Sequence, residues 1–515
     1  MNPNEPENFS KSNISNSTSP LFLILFSVTV LLRIYVALSR SDYIWPDEHF
    51  QTLEPASKVV LGFGTLSWEW LTGYRPWIVP ALYMPLLGLL KLIGISGGPT
   101  AILLCRAFTA IFSSTVFLFI NRLLIQLGTG QIARFGALVA YSFSVSTTLW
   151  SCAPLADNWA MIILWAALPE IIDRCKSCKN LDWFWIGLLV GLPVLIKLQM
   201  AFWTVGIILI LIILASSWPQ ILWAALGGLM DLLILGAIDT FTWGSPFHSL
   251  MEQITKGRAI GILNGRSPWW GYFSMVWENK PPAILLMLAG FTFPIIILAP
   301  YRTRLIESLR ASTSTLALTV IPLLVFLGTM ISIEHKELRF LLPLLPAFYI
   351  CLGFLIDNLI KTASWNPKVL LLARSLPFRV LSSMGMISAG FCVVLASMST
   401  ALPFTSTNIT KLERAIYSDH GLSPRGDSCI LLINHNWTWT HGQLILGAPV
   451  KIIDKNFNKI TQDNLRDCSY AILLERKEII FKIRAGTTWK PMNVSSNGYV
   501  LYKNSVAKIV ASQEQ

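Results

Sequence analysis

About eleven runs of apolar residues, most of them close to the thickness of a bilayer's hydrocarbon core, set the limits on what this chain can become. They lie near 20–38, 100–120, 134–150, 155–172, 183–200, 202–216, 218–236, 283–299, 315–333, 341–358 and 381–401. Such runs have no place to hide in a water-soluble fold of this size. Composition agrees: of 515 residues, 53% are hydrophobic and 13% are charged, against about 25% charged in soluble domains. The mean hydropathy is +0.57. The sequence therefore predicts an all-α polytopic membrane protein. A net charge of +12 raises the question of nucleic acid, but the Lys and Arg residues fall in short stretches between apolar runs, as in cytoplasmic loops. No nucleic-acid partner is expected.

One further run, 77–95, carries Pro80, Pro85 and Gly88 and can either span or lie in the interface. Charge decides. If it does not span, four basic loops share one side: Arg122 with Arg134; Arg174, Lys176 and Lys179; Arg302, Arg304 and Arg310; and Lys361, Lys368, Arg374 and Arg379. That side is cytoplasmic by the positive-inside rule. The expectation is about eleven spans, an inside N-terminus and an outside C-terminus. Arg33 and Arg40, at the outer end of the first span, are the weak point. Residues 1–19 are polar and lack a basic start, so the first run reads as an uncleaved anchor. Residues 20–401 form the transmembrane domain, with exported segments 39–99, 237–282 and 334–340. Residues 402–515 form a small extracytoplasmic α/β domain with strand-like runs at Cys429–Asn434, Tyr470–Leu474 and Tyr499–Tyr502. Cys429 and Cys468 can pair in an exported tail. Cys175 and Cys178 form a single CxxC with no second pair to complete a zinc site.

Chemistry concentrates in the exported segments. Tyr43 to Pro55 holds Asp47, Glu48 and Glu54, three carboxylates at a membrane face in a chain poor in acids. Pro46 suits a first helical position, which puts Asp47 and Glu48 in the first turn, where the helix dipole favours their ionised forms. An ionised carboxylate can take the proton of an attacking sugar hydroxyl; the competing explanation is a helix-start acid that only stabilises. Consecutive Asp47, Glu48 and His49 do not face one point on a helix, so no metal site is expected. Glu334 to Phe340 packs five charged or titratable residues into seven positions. If it is helical, Lys336 and Arg339 share a face and with His335 can hold a phosphate. Interfacial snorkelling accounts for Lys and Arg there, but not for the two acids and the histidine. Asp239 to Gly244 and Asn264 to Tyr272, with Trp269 and Tyr272, offer rings to a sugar face or serve as an aromatic belt. Ser67 to Trp70 with Arg75 shares that ambiguity.

Trp45 to Pro55, Gly64 to Trp70 with Arg75-Pro76, and His335 to Phe340 resemble, in this order, glycosyltransferase family 22. These are the mannosyltransferases of GPI-anchor and N-glycan precursor assembly, and the likeness is greatest to those adding the third GPI mannose. The resemblance covers roughly residues 20–360. It implies a GT-C glycosyltransferase fold, a polyprenyl- or dolichyl-phosphate mannose donor, a lipid-linked glycan acceptor, inversion at the transferred sugar and no cofactor or metal. It implies Asp47 as general base with Glu48 assisting, and His335, Lys336 and Arg339 on the donor phosphate. Gln51, Glu54, Trp68, Glu69, Arg75, Asp239, Trp269 and Tyr272 would line the substrates. The expected setting is the endoplasmic reticulum membrane in a eukaryote, or the cell membrane in a bacterium.

Two other function classes compete with glycosyl transfer. A transporter or flippase for lipid-linked sugars would show internal repeats with paired broken helices, and none is visible. A non-catalytic subunit of a glycan assembly complex would not need intact acid and base clusters.

Overall fold

The computed structural model describes residues 20–39, 43, 45–177, 179–263, 265–272, 274–275, 313–365, 409–419, 429–433, 443–446, 448, 451–455, 468–474, 489–496 and 499–504. The chain divides into two compact units, one of residues 1–36, 109–152 and 156–402, the other of residues 37–108, 153–155 and 403–515.

Apolar runs became helices wherever they are described. Among the described residues, four helices are long and apolar enough to cross a bilayer: Pro20–Ser39, Gly98–Gln126, Trp218–Trp243 and Ser314–Ser332. Asn180–Ile196, Leu198–Leu214 and Leu338–Phe354 are shorter apolar helices, and Ala156–Arg174 carries a mostly buried surface. The protein is a multi-pass membrane protein. The expected runs at 283–299 and 381–401 lie outside the described residues. The run at 134–150 divides into Gln131–Phe143 and Val145–Ser151 because Ser144 adopts an extended backbone. The run at 77–95 yields Ile78–Leu92, a helix of 15 residues. At 1.5 Å per residue that is about 22 Å, short of a hydrocarbon core of about 30 Å.

Within the larger unit, Asn180–Ile196 and Trp218–Trp243 pack closely. A methyl group on Gly187 would strike the Ala224 carbonyl, and one on Gly227 would strike the Phe184 carbonyl. Small residues are what allow such an approach where lipid supplies no hydrophobic drive between helices. The far face of Trp218–Trp243 leaves Leu222, Leu226, Leu229, Leu233 and Phe241 exposed, which suits acyl chains. Arg33 is not a loop charge. It is fully buried, donates to the Ser113 carbonyl at 3.0 Å and stacks 4.7 Å from the Tyr141 ring centre. It therefore drops out of the charge count that decides orientation.

The second unit holds a five-stranded mixed sheet of β1 (Cys429–Ile433), β2 (Lys451–Lys455), β3 (Tyr470–Leu474), β4 (Trp489–Ser496) and β5 (Tyr499–Asn504) in the order β2-β1-β3-β5-β4. β1 runs parallel to both β2 and β3, with Ile430 between Ile452 and Tyr470. β5 is antiparallel to β3 and to β4. Apolar β1 and β3 are the central strands, as continuous apolar runs predict. Cys429 and Cys468 are disulfide-bonded. Helix Ile409–Ser418 turns Leu412 and Ile416, four residues apart, into the interior. Asp419 then receives the Tyr470 hydroxyl and the Lys503 ammonium.

Candidate active site

The acidic segment lies in the second unit. After Pro46 the chain enters a helical turn at Asp47, and Glu48–Leu53 then forms a widened π-helical turn. Such turns cost backbone regularity and recur at functional sites. Here the Trp70 indole N–H donates to the Phe50 carbonyl at 2.8 Å. Glu48 is fully buried. Its Oε1 accepts from the Trp45 N–H at 3.3 Å, three residues back, as the acid of a capping box does. Its Oε2 accepts from Arg106 Nε at 3.3 Å, and that arginine is 1% exposed. Asp47, one residue earlier, is only half-buried. The two adjacent carboxylates thus have different surroundings.

Three of the expected substrate residues gather beside them. Glu69 Oε1 accepts from Arg75 Nη2 at 2.8 Å, Arg75 Nε at 3.1 Å and Gln51 Nε2 at 3.2 Å. Burial opposes the Arg75 charge, but Glu69 and, beyond it, Asp47 more than offset this. Trp68 is 44% exposed, with its ring 5.3 Å from that of Tyr74.

Glu54 does something else. Its carboxylate is buried and accepts three backbone N–H groups: Thr65 at 2.5 Å, Gln443 at 3.0 Å and Leu444 at 2.7 Å. In return the Gln443 amide oxygen accepts the Gly64 N–H at 3.0 Å. Gly64 has φ +156, and a side chain there would collide with the Glu54 carbonyl. Burial raises the Glu54 pKa to about 7 despite the three donors.

The basic segment lies in the other unit, and it is not a helix throughout. Glu337 is extended, and a 3-10 helix starts only at Leu338. The expectation that Lys336 and Arg339 share a helical face is corrected on that account. Glu337 assembles the group instead. Its Oε1 meets His335 Nε2 at 2.8 Å, and its Oε2 pairs with Arg339 Nε. Burial works against the Glu337 charge, yet the His335 hydrogen bond and the Arg339 guanidinium pull its pKa down to about 2. Lys336 is buried, donates to the Ile333 carbonyl and stands 5.7 Å from the Tyr272 ring centre. Tyr272 is 6% exposed. Burial, with the charges of Glu337 and Asp157, keeps its hydroxyl protonated well above the usual range. Trp269 is 69% exposed, edge-on to Trp270 at 5.5 Å. Asp239 is fully buried, and its oxygens accept the Ser249 N–H at 2.8 Å and hydroxyl at 2.8 and 3.0 Å. That bonding fixes the entry to helix His248–Leu263.

Arg106, Asp157 and Lys197 escaped the sequence reading, although each is an ionisable residue inside a predicted span, a signal that marks function by default. Their partners lie 58 and 40 residues away in sequence, so no local pattern announces them.

A family model described as the Alg9-like mannosyltransferase family matches residues 24–416. Mannosyltransferase APTG1 of Arabidopsis thaliana is 27% identical over 370 residues, 65% of this chain and 58% of that protein. GPI alpha-1,2-mannosyltransferase 3 of Bos taurus is 26% identical over 350 residues, 66% of this chain and 59% of that one. The chain thus spans less than two thirds of the length of these curated relatives. The crystal structure of ArnT from Cupriavidus metallidurans bound to undecaprenyl phosphate superposes with a TM-score of 0.55 at 12% identity, over 93% of this chain and 97% of that one. That likeness is one of fold, the GT-C architecture. The family match runs over more than half of the chain and through both charged segments: the chain belongs to the Alg9-like mannosyltransferase family.

Proposed function

We propose that this protein transfers a mannosyl unit from a polyprenyl-phosphate donor to a lipid-linked glycan, with inversion, on the exported face of its membrane. The observation that carries the reading is the basic group of His335 and Arg339, organised around Glu337 with Lys336 in the same segment, in a chain of mannosyltransferase family. The bond between the anomeric carbon and the donor phosphate oxygen breaks. The acceptor hydroxyl oxygen forms the new bond from the opposite face. Asp47 takes the hydroxyl proton, and the polyprenyl phosphate leaves as an anion held by Arg339, Lys336 and His335. Glu48 is committed to Arg106 and the Trp45 N–H, which supports Asp47 as the base and Glu48 as the residue that sets the turn. Gln51, Glu69 and Arg75 hold the surroundings of Asp47, while the exposed rings of Trp68 and Trp269 suit sugar faces. Glu54 and Asp239 have oxygens that already accept from the chain itself, so they would meet substrate only alongside those bonds. About eleven spans, with an inside N-terminus and an exported tail, complete the topology. A donor chain that stays in the bilayer gives so many spans a purpose.

The test is transfer in membranes supplied with polyprenyl-phosphate mannose. Wild type transfers; Asp47→Asn loses roughly 10²–10⁴-fold, the usual range for a general base, and Arg339→Ala loses transfer at equal expression. Near-normal transfer by Asp47→Asn would remove it as the base and move the role to Glu48. A wild type that transfers from no polyprenyl donor would sink the reading.

A further inference from the structure

Lys197 sits where helix Asn180–Ile196 breaks, in an extended backbone (φ −151, ψ 116) before a 3-10 turn. A helix interrupted at membrane depth is tolerated where the break is buried in protein or lines a cavity. Its ammonium pairs with Asp157 of helix Ala156–Arg174, with side-chain exposures of 7% and 4%. The same ammonium stands 4.6 Å from the centre of the Phe340 ring. The Arg339 guanidinium lies 5.4 Å from that ring, and His335 meets it edge-on at 5.9 Å. One aromatic ring therefore gathers a cation from the helix break and two members of the basic segment. Asp157 also bears on Tyr272, whose ring carries Lys336. Among the described residues, Lys197 pairs with Asp157, Arg339 pairs with Glu337, and Lys336 donates to the Ile333 carbonyl. Basic side chains gathered on one ring suit an anionic ligand.

We propose that Lys197 is a fourth basic residue of the donor phosphate site, with Asp157 as its positioning residue until the phosphate arrives; this rests on the donor reading above. The ligand class is a polyprenyl phosphomonoester or phosphodiester. A pair serving only to staple two helices would have no reason to share Phe340 with Arg339.

The experiment measures binding of farnesyl phosphate, with farnesol as the uncharged control, to the full-length protein in nanodiscs. Wild type binds the phosphate in preference to the alcohol. Lys197→Gln weakens phosphate binding about tenfold or more, as expected for loss of a hydrogen bond to a charged group. Lys197→Arg restores most of it, and farnesol binding does not change. In transfer assays the donor KM rises while kcat changes less. Should Lys197→Gln not fold, Asp157→Asn with Lys197→Gln removes both charges and leaves two amides able to hydrogen-bond; it shows the same loss. Farnesyl phosphate binding that Arg339→Ala weakens and these variants leave unchanged would make Lys197 a structural residue and overturn the inference alone. No preference for the phosphate in wild type would instead defeat the donor reading itself.

Discussion

Glu337 shows how one residue changes the meaning of its neighbours. In the sequence it is one acid among basic residues; in the structure its two oxygens hold His335 and Arg339 apart and in place. The extended backbone at Glu337 lets it do so, and no spacing rule for helices foresees that. The residue types of the basic segment were legible, but their mutual geometry was not. The pKa of Glu337 falls from 4.5 to about 2, so its ionised form stabilises the fold. By linkage that stability is present above pH 4.5 and disappears as pH falls through about 2. Glu337→Gln should then be less stable than wild type at pH 7, by on the order of 3 kcal/mol or less. The gap should close toward pH 2. Thermal melts of both proteins at pH 7 and pH 3 check this, and a gap that does not shrink with acid would argue that the ion pairs contribute nothing.

At the scale of elements, Glu54 joins two stretches of chain almost four hundred residues apart, the 54–65 turn and the 443–446 turn. Its acidity and its place beside Asp47 suggested substrate contact from the sequence. Its backbone partners from the tail lie too far along the chain to be seen there. Strands β1, β3 and β5 were legible as apolar or aromatic runs, whereas β2, with Lys451, Asp454 and Lys455, and β4, with Lys490 and Pro491, were not. Their polar residues are tolerated at the two sheet edges. The Glu54 bracket carries its own pH signature. With the folded-state pKa raised from 4.5 to about 7, the folded form binds the extra proton. Its stabilisation is complete below pH 4.5 and is lost as pH rises through about 7. Wild type should melt higher at pH 5 than at pH 8, and Glu54→Gln should flatten that slope. If the two proteins show the same pH dependence, the Glu54 carboxyl is not the group that titrates.

For the whole molecule, the apolar runs made the helical membrane architecture legible because each helix satisfies its own backbone, whatever its neighbours. Which side the ends occupy is a different kind of inference, resting on loop charge. Burial of Arg33 removes one of the two residues that spoke against it. The Cys429–Cys468 disulfide supports an oxidising compartment for the tail. Asn408-Ile-Thr, Asn436-Trp-Thr and Asn493-Val-Ser are acceptor sequences for N-glycosylation in that tail. The first two lie outside the described residues, and Asn493 falls in the edge strand β4. Expressed in a eukaryotic cell, the protein should carry endoglycosidase-sensitive mass on at least one of these asparagines, removed by the corresponding Asn→Gln change. In sealed microsomes Cys429 and Cys468 should resist a membrane-impermeant maleimide, and should react only after detergent and reductant are added. An unglycosylated tail whose two cysteines react in intact vesicles would put residues 402–515 in the cytoplasm. The second unit contains both that tail and Asp47, so the proposed base would go with it, the topology would be inverted, and a lumenal or periplasmic reaction would be ruled out.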